Sequence, residues 1–232
     1  MEKKYKILIL FFVMVVVISL SGFMNTYLKY FPDTQKFPLL IHIHFAAFLS
    51  WFAMILIQPI LIKQKRYALH RKIGRLSYFI APVIVITILL LVKAQVQREL
   101  SVPENSAPVT ALIGLLDVVS FSLYYTIAMI NKQNTRWHVA FLIAASLIVL
   151  NPGMSRLFNQ LQPGLGLLAA IILPFIVPLI IIFFEKIKLN RPVFKNPYFI
   201  FLCGWSLEIV LFITIPNTEY WKSFVVNTMK LF

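Results

Sequence analysis

Seven stretches of this chain are apolar over about the length that a helix needs to cross a hydrocarbon core, roughly 20 residues. They run approximately over Lys6–Leu28, Pro38–Ile62, Ile73–Lys93, Ala107–Ile130, Trp137–Met154, Leu165–Phe184 and Pro197–Ile215. Few folds are open to such a chain. Hydrocarbon offers no water to hydrogen-bond, so each backbone N–H and C=O must be paired within the structure, which leaves helices or closed barrels. The runs are long and do not alternate polar with apolar residues, so helices are expected rather than strands. Composition agrees. Charged residues make up 13% and hydrophobic residues 60% of the 232 positions, against about 25% charged in an ordinary soluble domain. The expected fold is all-α: a polytopic transmembrane helix bundle of seven spans, with residues 1–232 forming a single integral membrane domain.

The connectors fit this reading. "KYFPDTQKFP" and "VPENSAP" carry proline and polar residues, and "EKIKLNRPVFKNP" is basic. "NKQNTR" is so short that the fourth and fifth spans should be antiparallel neighbours. The N-terminal "MEKKYKILILFFVMVVVISLSG" has the basic-then-apolar order of a signal peptide, but its apolar run is longer than a signal core and lacks a small-residue cleavage site. A retained first helix is expected. With the N-terminus cytoplasmic, 15 of the 22 lysines and arginines fall inside, from Lys3, Lys4 and Lys6 to Lys195. The other seven, Lys29, Lys36, Lys93, Arg98, Arg156, Lys222 and Lys230, fall outside. This bias predicts a cytoplasmic N-terminus and an external C-terminus in the cell inner (plasma) membrane. The tail "NTEYWKSFVVNTMKLF" is amphipathic and aromatic, suited to lie along the interface or to pack as a short helix.

The net charge of +14 raises the question of nucleic acid, but the cations sit in short clusters between apolar runs and form no binding motif. The expected partners are the lipid bilayer and other membrane proteins. Cys203, the one cysteine, excludes an intrachain disulfide and cysteine-ligated zinc or iron–sulfur sites. No nucleophile triad, phosphate loop or dinucleotide fingerprint is present.

Polar residues inside the spans carry the functional question, because a charge there costs roughly 2.5–3.5 kcal/mol on insertion scales. His44, Trp51 and Gln58 recur at seven-residue spacing, so on a helix they form one stripe, expected to face the bundle interior. Asp117 lies in the fourth span with Ser120 and Tyr124 on its face, Glu208 in the middle of the seventh, and Arg156 at the outer end of the fifth. By depth, His44, Asp117, Arg156 and Glu208 are expected to converge, with His44 meeting Asp117. An Asp117–Arg156 ion pair would be either structural or functional, and the sequence favours neither. His42 is expected to be wetted at the interface. His70 and His138 open the third and fifth spans at the inner surface, beside Arg71, Lys72, Arg75 and Arg136, and Gly74 permits close helix approach. The basic cluster there sets topology and suits anionic lipid.

The string His44…Trp51…Gln58, then "LHRKIG", an Asp in the fourth span, "RWH" and "NPGMSR" resembles the DUF2306-like bacterial multi-pass membrane proteins over about His44 to Arg156. The resemblance implies His44, Gln58, His70, Arg71, Gly74, Asp117, His138 and Arg156 as family positions and supplies no activity. The H-R-x-x-G segment and paired histidines also faintly resemble ferric-reductase and cytochrome b561 type proteins, in which histidines on facing helices hold b-type haem.

Three functional classes follow, with a structural one beside them. A haem b or metal-binding redox protein would use His70 and His138 as axial ligands, with Arg71 and Arg136 on the propionates. A proton-coupled small-molecule carrier would use His44, Gln58, Asp117, Arg156 and Glu208, with helix breaks at "NPG" and "GLG". A zinc hydrolase would hold its metal on His42 or His44 with Asp117 and Glu208, though without a metal-binding histidine pair in sequence. A membrane-complex assembly factor would use the polar groups only to fix helix register.

Overall fold

The computed structural model describes residues 2–31, 33, 35–102 and 106–230. Part of the connector "VPENSAP" therefore lies outside the described residues, as do the side chains of Lys3, Lys4 and Lys230. The described residues form helices α1 (Glu2–Phe23), α2 (Leu39–Lys63), α3 (Tyr67–Gly74), α4 (Ser77–Leu100), α5 (Ala107–Ile130), α6 (Thr135–Leu161), α7 (Leu165–Leu189), α8 (Pro197–Thr214) and α9 (Glu219–Lys230). No strand occurs among them. Seven segments are long and apolar enough to cross a membrane, with α3 and α4 counting as one. This is the architecture of a multi-pass membrane protein in contact with lipid. Large apolar side chains face outward along the spans, such as Ile180, Phe183 and Val210.

The helix ends differ from the sequence expectation in instructive ways. The first helix stops at Phe23 rather than Leu28, and the chain continues through a turn and a short 3₁₀ segment at Leu28–Tyr30. Asn25 and Thr26 end it, because their side chains turn to hydrogen bonds at the helix end: Asn25 donates to Gln160 at 3.1 Å and Thr26 to the Phe23 carbonyl. The fifth span continues past Met154 to Leu161, straight through Pro152. Arg156 is thus inside a helix, not at its end. The segment around "LHRKIG" is a separate eight-residue helix ahead of the third span. It is set off from α2 by a Schellman-type stop, in which Arg66 N donates to the Leu61 carbonyl and Lys65 adopts φ +60°.

By internal contacts the chain divides into two compact units, residues 1–87 with 149–166, and residues 88–148 with 167–232. Helices α4 and α6, and α7 by its first two residues, contribute to both. In the first unit α1 meets α6 backbone to backbone. A Cβ built on Gly22 would fall 1.8 Å from the Gly153 carbonyl oxygen, and one on Gly153 would fall 2.6 Å from the Ser19 Cα. Small residues permit such an approach. In the second unit the C-terminal α9 packs as a short helix. Trp221 Nε1 donates to the Pro108 carbonyl at 2.8 Å, and Val225 is buried beside Val96 and Ala107.

Candidate functional site

In the first unit the His44–Trp51–Gln58 stripe turns inward. Trp51 is 1% exposed, and its two companions are half-buried. His44 Nδ1 lies 2.9 Å from Thr87 Oγ1 on α4. Thr87 has a single hydroxyl proton, and its oxygen is within hydrogen-bond reach of the Val83 and Ile84 carbonyls at 2.8 and 2.9 Å. Those carbonyls only accept, so the Thr87 proton goes to them and His44 Nδ1–H donates to Thr87.

Gln58 ties α2 to α3. With its amide oriented to satisfy both ends, Oε1 accepts from the Gly74 backbone N–H at 3.0 Å, and the NH₂ donates to the His70 carbonyl at 3.2 Å and to His70 Nδ1. The Gly74 N–H can only donate, so it fixes which end of the amide faces His70. His70 Nδ1 is then an acceptor, and the ring proton is on Nε2. The sequence stripe and the "LHRKIG" segment are parts of one corner.

His42 is not a wetted interfacial side chain. Its Nδ1 lies 2.7 Å from Tyr27 Oη, its ring packs by Tyr27 and Phe37, and its Nε2 is buried without a hydrogen-bond partner among the described residues. Burial pushes the Tyr27 phenol up from its ordinary value. Arg156 donates to the Pro152 carbonyl at 3.1 Å and lies over the Phe23 ring at 4.7 Å.

The second unit holds the carboxyl pair. Glu208 on α8 is 8% exposed, and Tyr124 on α5 donates to its Oε1 at 3.0 Å. Ser120, one turn before Tyr124, bonds the same carboxyl. Asp117, one turn earlier again and half-buried, lies within electrostatic reach of Glu208. Asp117, Ser120 and Tyr124 therefore form the stripe expected from their spacing, and Glu208 is what that stripe faces. Gly204, one turn before Glu208, makes room for it: a Cβ there would come within 2.8 Å of Tyr124 Oη. Of the four residues expected to converge, Asp117 and Glu208 lie within electrostatic reach of each other, whereas His44 and Arg156 have partners of their own in the first unit.

A second polar cluster escaped the sequence reading. Glu185, at the end of α7, accepts from Arg136 on α6, from Arg191 at 2.7 Å and from Asn196 Nδ2 at 3.0 Å. Asn196 in turn caps α8 by accepting from the Tyr198 backbone N–H at 3.1 Å. Arg136, expected to face a haem propionate, is already committed to a carboxylate. Beside it, His138 Nδ1 donates to the Ala128 carbonyl at 2.8 Å across the α5–α6 hairpin, which leaves Nε2 with its lone pair. Glu185 was hard to see because it closes a long apolar run and opens a basic connector. His70 and Arg71 belong to the first unit, where Arg71 is exposed.

Among the described residues no three His, Cys, Asp or Glu side chains gather closely enough to hold a metal ion. The ligand set expected for a zinc hydrolase is not assembled. Fold and site together define a class, a multi-pass helical membrane protein with a hydroxyl-bonded carboxyl, Glu208, and a second acid within electrostatic reach in its spans. No family model matches the chain, and neither does any curated protein or solved structure.

Proposed function

We propose that this chain is a proton-coupled small-molecule carrier of the cell inner membrane, with its N-terminus cytoplasmic, and that Asp117 and Glu208 carry the proton. The observation that carries the reading is the environment of Glu208. Its carboxyl is buried in a span, held by the hydroxyls of Tyr124 and Ser120 rather than by a cation, and lies within electrostatic reach of the Asp117 carboxyl. Two carboxylates near each other in hydrocarbon repel, and a proton on either one relieves that repulsion. Intramembrane acids in such settings mark ion pathways and proton relays. Ser120 and Tyr124 would hold Glu208 in place while the proton arrives and leaves. The orientation rests on the lysine and arginine bias, and the DUF2306-like resemblance is part of the same proposal.

The test is a pH jump on purified protein reconstituted in phosphatidylcholine vesicles on a solid-supported membrane. Wild type should give a transient displacement current, and Glu208→Gln should remove it while melting at a similar temperature. A silent wild type, or a variant with the full current, overturns the carrier reading.

A haem- or metal-binding redox protein is the second reading, favoured by His138, whose Nδ1–H to carbonyl bond is the usual support of a ligating imidazole. His70 weighs against it, since its Nε2 carries the proton. Oxidised and dithionite-reduced absorption spectra with metal analysis decide. A Soret band lost in His138→Ala establishes haem. A protein with neither current nor chromophore leaves the assembly factor.

A further inference from the structure

The corner between α2 and α4 holds positive charge that its own part of the chain does not balance. Lys63, Lys65, Arg66, Arg71, Lys72 and Arg75 fall close together, and no Asp or Glu occurs between Asp33 and Glu99. The contrast with the other basic corner is direct. There, Arg136 and Arg191 share Glu185. Here, Lys65, Arg66, Arg71, Lys72 and Arg75 are exposed and form no ion pair among the described residues.

The orientation of α3 is fixed. Gln58 grips His70 and the Gly74 amide, so that side of α3 turns towards α2. At about 100° per residue, Arg71, Lys72 and Arg75 fall on an arc of about 100° on another side, away from Gln58. Exposed apolar groups adjoin them: Leu76 is 57% and Phe79 74% exposed, at the start of a membrane-competent helix. Topology alone asks only for cations in the connector. It does not ask for a short helix held to the preceding span with two cations on one side, a third at its C-cap and bare apolar side chains next to them. A dissolved phosphate would have no use for the apolar groups. A phospholipid presents a phosphate and acyl chains together.

We propose that α3 binds anionic phospholipid, with Arg71, Lys72 and Arg75 on the headgroup phosphate and Leu76 and Phe79 beside the chains. Native mass spectrometry of the detergent-purified protein, with phosphatidylglycerol and phosphatidylcholine added in equal amounts, tests it. Wild type should retain phosphatidylglycerol in preference, by about fivefold for each cation that engages. The triple variant Arg71→Gln/Lys72→Gln/Arg75→Gln should lose the preference, and Lys186→Gln/Lys188→Gln should keep it. The proposal fails if wild type shows no preference, if the triple variant keeps it, or if the α7 variant loses it equally. It fails too if glycerol phosphate displaces the lipid as well as free phosphatidylglycerol does, which would make a soluble phosphate the ligand. Should the triple variant misfold, Lys72→Gln and a salt titration of wild type replace it. The preference must then fall in the variant and with rising salt, and a preference unchanged by both overturns the proposal.

Discussion

Tyr124 donates its hydroxyl proton to Glu208 from one helix to another, and Gly204 on the helix of Glu208 leaves the space that this hydroxyl occupies. The three form one device. Tyr124→Phe removes a donor from a buried carboxyl, which should cost about 1–3 kcal/mol. Gly204→Ala places a methyl within 2.8 Å of the Tyr124 oxygen, too close for both to stay, and should weaken the same bond. Since both changes remove one interaction, their effects on the melting temperature in detergent should fall short of additive. Full additivity would show that Gly204 acts on something other than the Tyr124 hydroxyl.

The imidazoles make a second prediction, because their partners fix their protons. His70 should be the Nε2–H tautomer, its Nδ1 accepting from Gln58, while His44 and His138 should be Nδ1–H tautomers. Nitrogen NMR of protein labelled only at histidine distinguishes protonated from bare ring nitrogens, and His→Gln variants assign the signals. In Gln58→Ala the His70 pattern should change and the His138 pattern should not. A His70 that carries its proton on Nδ1 in wild type would show that the Gln58 amide faces the other way.

How much of this was legible in the sequence depends on whether a residue's partner is near it in the chain. The seven spans follow from run length, and the Asp117–Ser120–Tyr124 stripe from helical spacing, since both are local. The partner of that stripe, Glu208, was visible as a polar group in a span, but only the fold says which helix it meets. Thr87 looked like one more β-branched residue in "VIVITILLL", and nothing local marks it as the acceptor for His44. Gly22 and Gly153 are unremarkable in sequence because a close approach needs both helices in place. The length of α6 was misread at "NPG", where a proline inside a span is tolerated because the groups around it re-pair locally.

Glu185 should be worth more than either of its arginines. Glu185→Gln leaves Arg136 and Arg191 without a counter-charge and weakens the cap on α8 through Asn196. Charge-assisted bonds of this kind contribute about 1.5–3 kcal/mol each, and partial exposure of both arginines places the loss towards the lower end. Arg191→Gln, which removes the more exposed partner, should cost less. Melting of the single variants and of the double variant in the same detergent checks the order. If Arg191→Gln costs as much as Glu185→Gln, the carboxylate is not the hub of the cluster.

Gly22 and Gly153 mark a close approach of α1 to α6, and it is a contact of backbone with backbone. At Gly204 a side chain could swing aside, but at Gly22 an added methyl would meet the Gly153 carbonyl, which belongs to a helix and has no rotamer to change. The helices must separate, and separation also strips packing from Ser19, which is 1% exposed, and strains the Asn25–Gln160 bond at the same end. Gly22→Ala and Gly153→Ala should each lower the melting temperature clearly, by the equivalent of about 1–3 kcal/mol, in the range of overpacking. Gly164→Ala is a useful contrast. A Cβ there meets nothing within 4 Å, and its φ of +91° makes the cost one of backbone strain alone. A cross-link between cysteines placed at Asn25 and Gln160, efficient in the parent and poor in Gly22→Ala, would locate the damage at the α1–α6 contact. Unchanged cross-linking together with unchanged melting would mean that the two helices do not approach at these glycines.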